Sequence, residues 1–291
     1  MSSAMLIVLL ALSCFLHASI VVASINSQTV ISGLSSSSSS SSSSMSSHGH
    51  RRHHSSHHHR RRLDVKGTQL IPLYPGFGTH FAYFYIGNPA QRQSLIVDTG
   101  DHYTLFPCTD CKNCGAHTDK YWSPSSSNTS SVLKCSSSSN KCLAKEDYSE
   151  GSSWEGYEVH DQIYAGDLDP KLMKDDAIQL VVDLKFACVQ SSTGLFRTQF
   201  ADGVLGLSNS PDALPYQLKA KGITTTSTFA LCFRVGGGIL TLGGMDPRVN
   251  MKSVKYAAMR SPLATIAGKN QTDVEGDVAH WYGVTVLKVG S

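Results

Sequence analysis

The sequence predicts an all-β protein. From Leu70 onward, short runs of β-branched and aromatic residues alternate with Gly and Pro, which end strands and form turns. His80–Ile86 is the clearest run, because it leads into the turn sequence Gly87-Asn88-Pro89. Residues 215–221 are one of the few segments with a helix-like composition. Further strands are predicted at residues 93–97, 157–164, 178–182, 229–235, 239–242, 254–257 and 281–289.

The first 23 residues resemble a secretory leader. A hydrophobic segment runs from Met5 to Ala23, and the small residue Ser24 follows it. We expect cleavage after Ala23. The alternative is an uncleaved signal anchor that tethers the protein to a membrane, although His17 interrupts a stretch that is only just long enough to span. The rest of the sequence predicts no membrane span, so no stable span is expected after cleavage.

Residues 24–62 form a segment of low complexity. Residues 35–44 are an unbroken serine run, and a His- and Arg-rich tract follows as far as Arg62. Neither can bury apolar surface, so both are expected to be disordered. The arginines at positions 60–62 resemble a processing site for a basic-cutting protease, which makes residues 24–62 an expected propeptide. The seven histidines of the tract lack regular spacing and indicate a solvated tail more than a metal site.

The net charge of +3 comes from this basic tract. Five of the 25 basic residues are arginines in residues 48–62, and this leaves 20 basic against 22 acidic residues from residue 63 onward. The part of the chain that is expected to fold is therefore close to neutral. Its charge gives no reason to expect a nucleic-acid partner.

The most informative stretch is Ile96-Val97-Asp98-Thr99-Gly100. A β-branched run that ends in Asp-Thr-Gly predicts a carboxylate at the tip of a buried strand, where its surroundings set its pKa. Gly100 lets the backbone turn tightly, and Thr99 offers a hydroxyl that can pin the loop. The 291 residues contain no other Asp-Thr-Gly and no Asp-Ser-Gly.

Together with four further motifs in the same order, this stretch resembles the pepsin-like aspartic proteases. The resemblance covers residues 70–291 and implies a two-lobed all-β fold whose cleft lies between the lobes. The further motifs are Ile86-Gly87-Asn88-Pro89-Ala90-Gln91 before the first catalytic loop, the flap at Tyr148-Ser149-Glu150-Gly151-Ser152, Ala201-Asp202-Gly203-Val204-Leu205-Gly206-Leu207 beneath that loop, and Leu242-Gly243-Gly244-Met245-Asp246 at the crossing into the second lobe.

The resemblance implies a role for each matching residue. Asp98 is one of two acids, one from each lobe, that share a proton and activate water for hydrolysis of a peptide bond. For Trp154 two roles stay open, a hydrogen bond to the flap tyrosine or packing at the base of the hairpin. The residues implied to support the catalytic loop are Thr99, Gly100 and Asp101, and those implied to form the flap over the substrate are Tyr148, Gly151 and Ser152.

The implied partner is a peptide or protein substrate, with hydrophobic residues beside the bond that is cleaved. The resemblance implies no cofactor and no metal, and it implies a monomer for a full-length protein. The expected location is secreted or vacuolar, along the secretory pathway.

Two features depart from the family pattern. Asp101 occupies a position where the family usually has Ser or Thr. If ionised, it would raise the pKa of Asp98 by repulsion, and if protonated it could donate a hydrogen bond to it. Residues 281–289 resemble the strand shortly before the second catalytic motif, so we expect residues 63–245 to form an essentially complete N-terminal lobe and residues 246–291 to begin a truncated C-terminal lobe.

Eight cysteines fit a secreted protein. Cys14 lies in the expected leader, and the odd number that remains predicts a leftover thiol whose partner is missing. The Cys-x-x-Cys-x-x-Cys segment resembles the Cys-rich insert of secreted plant and protist members, and a disulfide-stapled loop is favoured over a zinc site. The disulfide candidates are Cys108, Cys111, Cys114, Cys135, Cys142, Cys188 and Cys232. Two sequons make Asn128 and Asn270 candidates for N-glycosylation.

Three functions are compatible with these residues. The leading hypothesis is a secreted or vacuolar aspartic endopeptidase. The alternative is a catalytically inactive relative whose cleft still binds peptides. A homodimer in which two copies each supply Asp98 is disfavoured, because the start of the second lobe would occupy the dimer surface.

Overall fold

The computed structural model of the chain describes residues 20–23, 68–135, 141–165, 181–245, 259–260 and 282–284. These residues form an all-β structure, which confirms the predicted class. Its strands are β1 (Ile20–Ala23), β2 (Gln69–Pro75), β3 (His80–Ile86), β4 (Gln91–Asp98), β5 (Leu105–Lys112), β6 (Ser131–Val132), β7 (Leu143–Asp147), β8 (Ser153–Ala165), β9 (Val181–Ser192), β10 (Gly203–Gly206), β11 (Phe229–Arg234), β12 (Gly237–Leu242), β13 (Met259–Arg260) and β14 (Gly283–Val284). The described residues also include one α-helix, α1 (Leu214–Ala220), and 3₁₀ turns at Pro124–Ser126 and Gly194–Arg197.

Twelve of these strands join in one sheet, in the order β1-β11-β12-β2-β3-β4-β10-β5-β9-β8-β6, with β7 paired to β8. Since β3 also pairs with β8, the strands β3, β4, β10, β5, β9 and β8 close into a ring. Strands β13 and β14 form a separate two-stranded sheet. A closed ring leaves few free strand edges and provides an interior that side chains can fill.

The main hydrophobic core is built from buried residues of the ring strands together with residues of β2, β11, β12 and α1. Phe84, Leu95, Phe106, Trp122 and Phe186 are fully buried there. The ring of Phe186 lies 4.8 Å from Phe106 and 5.1 Å from Trp122, between ring centroids. Each side chain of this size contributes about 1.5–3 kcal/mol when it leaves water. This core fixes the ends of β4 and β10, where the candidate site lies.

Most predicted strands fall within observed ones. The segment His80–Ile86 is β3 as predicted, and residues 93–97, 157–164 and 239–242 lie inside β4, β8 and β12. The prediction at 229–235 matches β11 except for its last residue, and the predicted helix at 215–221 is α1 displaced by one residue. The predictions at residues 254–257 and at most of 281–289 lie outside the described residues.

Among the described strands, β9 matches its predicted segment only in part, and the strands without a predicted counterpart are β1, β2, β5, β6, β7, β10 and β13. Strand β5 runs through the Cys-rich segment, and β9 extends far beyond the predicted residues 178–182. In β9 the residues Val182, Leu184 and Phe186 are buried, while Asp183 is exposed. This alternation of buried and exposed residues is the period of a half-buried strand.

Strand β1 lies within the expected leader. Its residues 20–23 pair antiparallel with Phe229–Cys232 of β11. Residues 1–19 and 24–67 lie outside the described residues, so the leader and the propeptide remain predictions. In the described part of the chain, no helix combines the length and the apolar character that crossing a membrane requires.

Candidate active site

Asp98 is the last residue of β4, and β10 runs parallel beside it. Gly206 of β10 is its register partner. The backbone N–H of Leu207 donates to the carbonyl oxygen of Asp98 at 2.8 Å, so the chain that leaves β10 holds the end of β4 in place. A Cβ atom at Gly206 would meet the carbonyl oxygens of Tyr103 at 2.5 Å and of Asp101 at 2.9 Å. Glycine is therefore needed where β10 passes under this loop.

The carboxyl group of Asp98 accepts a hydrogen bond from the backbone N–H of Gly100, with 2.7 Å between nitrogen and Oδ1. Burial raises the pKa of Asp98, the Gly100 N–H lowers it, and the negative charge of Glu150 raises it further. The net effect is a raised pKa, so this acid keeps its proton to a higher pH than an ordinary aspartic acid. Among the described residues, the Thr99 hydroxyl makes no hydrogen bond, and backbone N–H groups pin the loop instead.

A second buried acid, Asp202, lies directly before β10 and connects it to β4 through hydrogen bonds. Its Oδ2 accepts hydrogen bonds from the backbone N–H of Ser94 at 2.6 Å and from the Ser94 hydroxyl at 2.5 Å. Its Oδ1 accepts from the N–H of Asp119 at 2.7 Å. Burial raises the pKa of Asp202, although these hydrogen bonds oppose the shift. No sequence pattern marked Ser94 as its partner, although Asp202 itself stands in the motif Asp202-Gly203-Val204-Leu205-Gly206.

Asp101 lies in the same loop and is fully buried. Its Oδ1 accepts from the backbone N–H of Tyr103 at 2.8 Å, and its Oδ2 accepts from the Tyr148 hydroxyl at 2.5 Å. Burial, Glu146 and Asp98 raise the pKa of Asp101 well above its usual range, and the two hydrogen bonds oppose them. Its side-chain hydrogen bonds therefore link it to the flap tyrosine, not to Asp98.

The flap, residues 148–152, is the turn between β7 and β8. The Tyr148 N–H donates to the Ser152 carbonyl at 2.8 Å, and the Gly151 N–H donates to the Tyr148 carbonyl at 2.9 Å. Gly151 has φ +95°, which favours glycine. The buried Ser152 accepts a hydrogen bond at Oγ from the N–H of Leu195 at 2.9 Å. The turn is thus closed by its own backbone and fixed to the 3₁₀ turn at 194–197.

Trp154 is hydrogen-bonded to the flap tyrosine. Its indole N–H donates to the Tyr148 hydroxyl oxygen at 3.1 Å, and its side chain is buried. Burial and the neighbouring acids raise the pKa of Tyr148 far above its usual range, so the phenol keeps its proton. The structure places Trp154 in both of the roles that the sequence left open.

The comparisons with known proteins agree with this geometry. A family described as "Xylanase inhibitor N-terminal" matches residues 80–244. Plasmepsin V of Plasmodium falciparum is 33% identical over 184 residues, which are 57% of this chain and 30% of that protein. Aspartic protease 5 of Toxoplasma gondii is 28% identical over 207 residues, 59% of this chain and 20% of that protein. The chain belongs to the pepsin-like aspartic protease family.

A plant protein gives a similar match within this family. Aspartic proteinase nepenthesin-1 of Nepenthes gracilis is 27% identical over 157 residues, which are 50% of this chain and 33% of that protein. The chain thus spans about a third or less of the length of these curated relatives. The matched family segment, residues 80–244, contains Asp98, Asp101 and the flap.

The cysteines of this pepsin-like chain that the structure describes are disulfide-bonded. Cys108 pairs with Cys188 across 80 residues, and the shorter pairs are Cys111–Cys114 and Cys135–Cys142. A disulfide that closes a loop of 80 residues stabilises a fold by about 2–5 kcal/mol. Cys232 is also disulfide-bonded, so none of the described cysteines is the leftover thiol that the odd count suggested.

The sulfurs of Cys108 and Cys188 lie within 4.8 Å of a carboxylate oxygen of Asp110. Because the two sulfurs are bonded to each other, they are not available as thiolate ligands for zinc. The disulfide that was favoured over zinc is therefore the arrangement that the structure shows in this segment.

Asn128 is exposed at a turn, directly after the 3₁₀ turn at Pro124–Ser126. Its sequon partner Thr129 donates from its hydroxyl to the buried Asp161 at 2.5 Å. Glycosylation of Asn128 stays a prediction. Asn270, the second candidate, lies outside the described residues.

Proposed function

We propose that Asp98 is one of two catalytic carboxyl groups of an aspartic endopeptidase. The observation that carries this proposal is the position of Asp98. It is the last residue of β4, which pairs in parallel with β10, and its Oδ1 accepts a hydrogen bond from the Gly100 N–H at 2.7 Å. Burial raises its pKa. A carboxyl group whose pKa is raised by burial keeps its proton to a higher pH and is suited to general acid–base chemistry.

The mechanism requires a second acid beside Asp98. Two carboxyl groups at short distance do not both ionise, so one keeps a proton while the other is charged. The charged acid takes a proton from water, and the protonated acid polarises the carbonyl of the peptide bond. Within this chain, the Gly100 N–H stabilises the charged form of Asp98. The flap carries Glu150, whose negative charge raises the pKa of Asp98, and a flap closed over the acid would exclude water during the reaction.

The substrate class that this function implies is an extended peptide with hydrophobic residues beside the cleaved bond. The expected location is the secretory pathway, with removal of residues 1–23 and then of the propeptide 24–62. This cleavage would also remove β1 and leave β11 without that neighbouring strand. The disulfide bonds support this location, because they persist in oxidising compartments.

A second candidate is a peptide-binding protein without catalysis. One observation favours it, since the 291 residues contain a single Asp-Thr-Gly and no Asp-Ser-Gly. Such a protein would keep the flap and the cleft wall but would lack the second acid.

A cleavage assay separates these candidates. The protein is expressed from its complete transcript and incubated with a fluorogenic peptide library at several pH values, with pepstatin as inhibitor. We expect cleavage that is fastest at acidic pH, where one acid of the pair keeps a proton, and that pepstatin blocks. Peptides that bind without being cleaved at any pH would instead support the binding protein. Cleavage that pepstatin does not affect would contradict both.

A further inference from the structure

Two polar contacts of the described side chains connect the loop that carries Asp98 with the flap hairpin, beside the ring contact of Tyr103 with Trp154. The Tyr148 hydroxyl donates to Asp101 Oδ2 at 2.5 Å, and His102 Nε2 lies 3.5 Å from Glu146 Oε1. We call the first of these the flap latch. Because Asp101 lies in the loop of Asp98 and Tyr148 begins the flap, the latch joins the floor of the site to its cover.

The direction of each hydrogen bond in the latch is fixed by its neighbours. An indole N–H can only donate, so Trp154 makes the Tyr148 oxygen an acceptor, and the Tyr148 O–H then points to Asp101. The other oxygen of Asp101 accepts the backbone N–H of Tyr103. Both carboxyl oxygens thus act as acceptors, which is the pattern of an ionised carboxylate. A proton on Oδ2 would compete with the Tyr148 O–H for the same space.

We propose that Asp101 positions the flap, holding Tyr148 when it is a carboxylate and releasing it when it is protonated, so that acid opens the cleft. The serine or threonine that the family usually has at this position cannot do so, because its hydroxyl does not titrate in this range. The inference concerns the movement of the flap and does not depend on the second catalytic acid.

The surroundings of Asp101 set the pH at which the latch opens. Burial and the charges of Glu146, on β7, and Asp98 raise its pKa well above the usual range, so release begins at a higher pH than for an ordinary aspartate. As pH falls through this raised pKa, Asp101 takes up a proton and the latch weakens. The titratable groups that act directly on Asp101 are Asp98, Glu146 and Tyr148, and the backbone N–H that it accepts belongs to Tyr103. The charged groups that act on these neighbours are His102, Glu150, Glu158, Lys185 and Asp212.

The indole N–H of Trp154 reports the state of the latch, since it donates to the same Tyr148 oxygen. The test follows the three tryptophan indole signals of the ¹⁵N-labelled 291-residue chain by NMR over a pH titration, and Trp154→Phe assigns the Trp154 signal. We expect this signal to titrate with a midpoint above about 3.9, the ordinary aspartate value. Trp122, whose indole donates to the Ile86 carbonyl at 3.3 Å, is an internal reference that should not follow it.

Variants identify the titrating group. In Asp101→Asn and in Asp101→Ser, the pH dependence of the Trp154 signal should vanish, and in Tyr148→Phe the signal should stay near its acid position at every pH. Glu146→Gln should keep the titration but lower its midpoint, because a negative charge near Asp101 is removed. The exposed neighbour Asp147 is the matched control, and Asp147→Asn should behave like the wild type.

Three results would overturn the proposal. The first is a Trp154 signal that does not titrate in the wild type. The second is a titration that persists in both Asp101 variants. The third is a titration that Glu146→Gln abolishes while Asp101→Asn retains it, which would make the His102–Glu146 pair the pH sensor. Thermal melts of all variants confirm that each is folded, and none of these outcomes depends on peptide cleavage.

Discussion

The Asp98→Asn variant of the protein expressed from its complete transcript should lose peptidase activity by about 10³-fold or more in kcat/KM. An amide has nearly the shape of the carboxyl group but can neither take a proton from water nor share one with a second acid. The loss should fall on kcat, while KM changes little, because peptide binding uses the cleft walls and the flap. Steady-state kinetics with one fluorogenic peptide at acidic pH measure both quantities.

The control for Asp98→Asn is Asp110→Asn. Asp110 is an exposed acid that accepts a hydrogen bond from the side chain of Gln190 on β9. Its replacement should leave kcat/KM within about twofold of wild type, as for most surface substitutions. An Asp98→Asn protein with near-wild-type kcat would contradict the catalytic role of Asp98. A loss of binding with unchanged thermal stability would show instead that Asp98 only shapes the cleft.

The Gly203→Ala variant should lose its folded structure. Gly203 begins β10, pairs with Leu95 on β4, and is buried. An added Cβ would overlap the carbonyl oxygen of Leu105 and lie 2.8 Å from the Cβ of Phe106. Strand β5 cannot move aside easily, because it also pairs with β9 inside the ring. We expect a loss of more than about 4 kcal/mol in the free energy of unfolding, measured by urea denaturation with circular dichroism.

Gly222→Ala is the matched control for this change. Gly222 follows α1 with φ +70°, and an added Cβ would have no atom within 4 Å. Its cost is therefore conformational only, about 1 kcal/mol. If Gly203→Ala unfolded at the same urea concentration as Gly222→Ala, this result would contradict the close packing of β10 between β4 and β5.

Local sequence patterns predicted the strands whose composition is regular. The run His80–Ile86 and the β-branched residues before Asp98 both predicted strands, and both are observed. Strand β5 escaped prediction because Pro107, Cys108 and Cys111 interrupt its apolar residues, so its strand character depends on pairing with β9 and β10. Pairings between distant segments, such as the parallel register of β10 with β4, leave no local signal.

The same limit applies to the candidate site. Asp98, Asp101 and Tyr148 were identified from motifs, since each stands in a short pattern with a chemical reason. The hydrogen bond between Asp101 and Tyr148 joins residues 47 positions apart and could not be read from either pattern. From its position in the sequence, Asp101 was expected to act on Asp98, but the described hydrogen bonds of the Asp101 side chain go to Tyr103 and Tyr148.

The central claim, that the Asp98 carboxyl group acts on the carbonyl of a bound peptide, is tested most directly by a pair of ligands. In one peptide, a tetrahedral carbon that bears a hydroxyl group replaces the carbonyl carbon of the cleaved bond. In the second peptide, a methylene group takes that position. In the protein expressed from its complete transcript, calorimetry should show the hydroxyl peptide binding about 10²-fold tighter or more, and Asp98→Asn should remove this difference. Equal affinities in the wild type, or a difference that survives in Asp98→Asn, would contradict the claim.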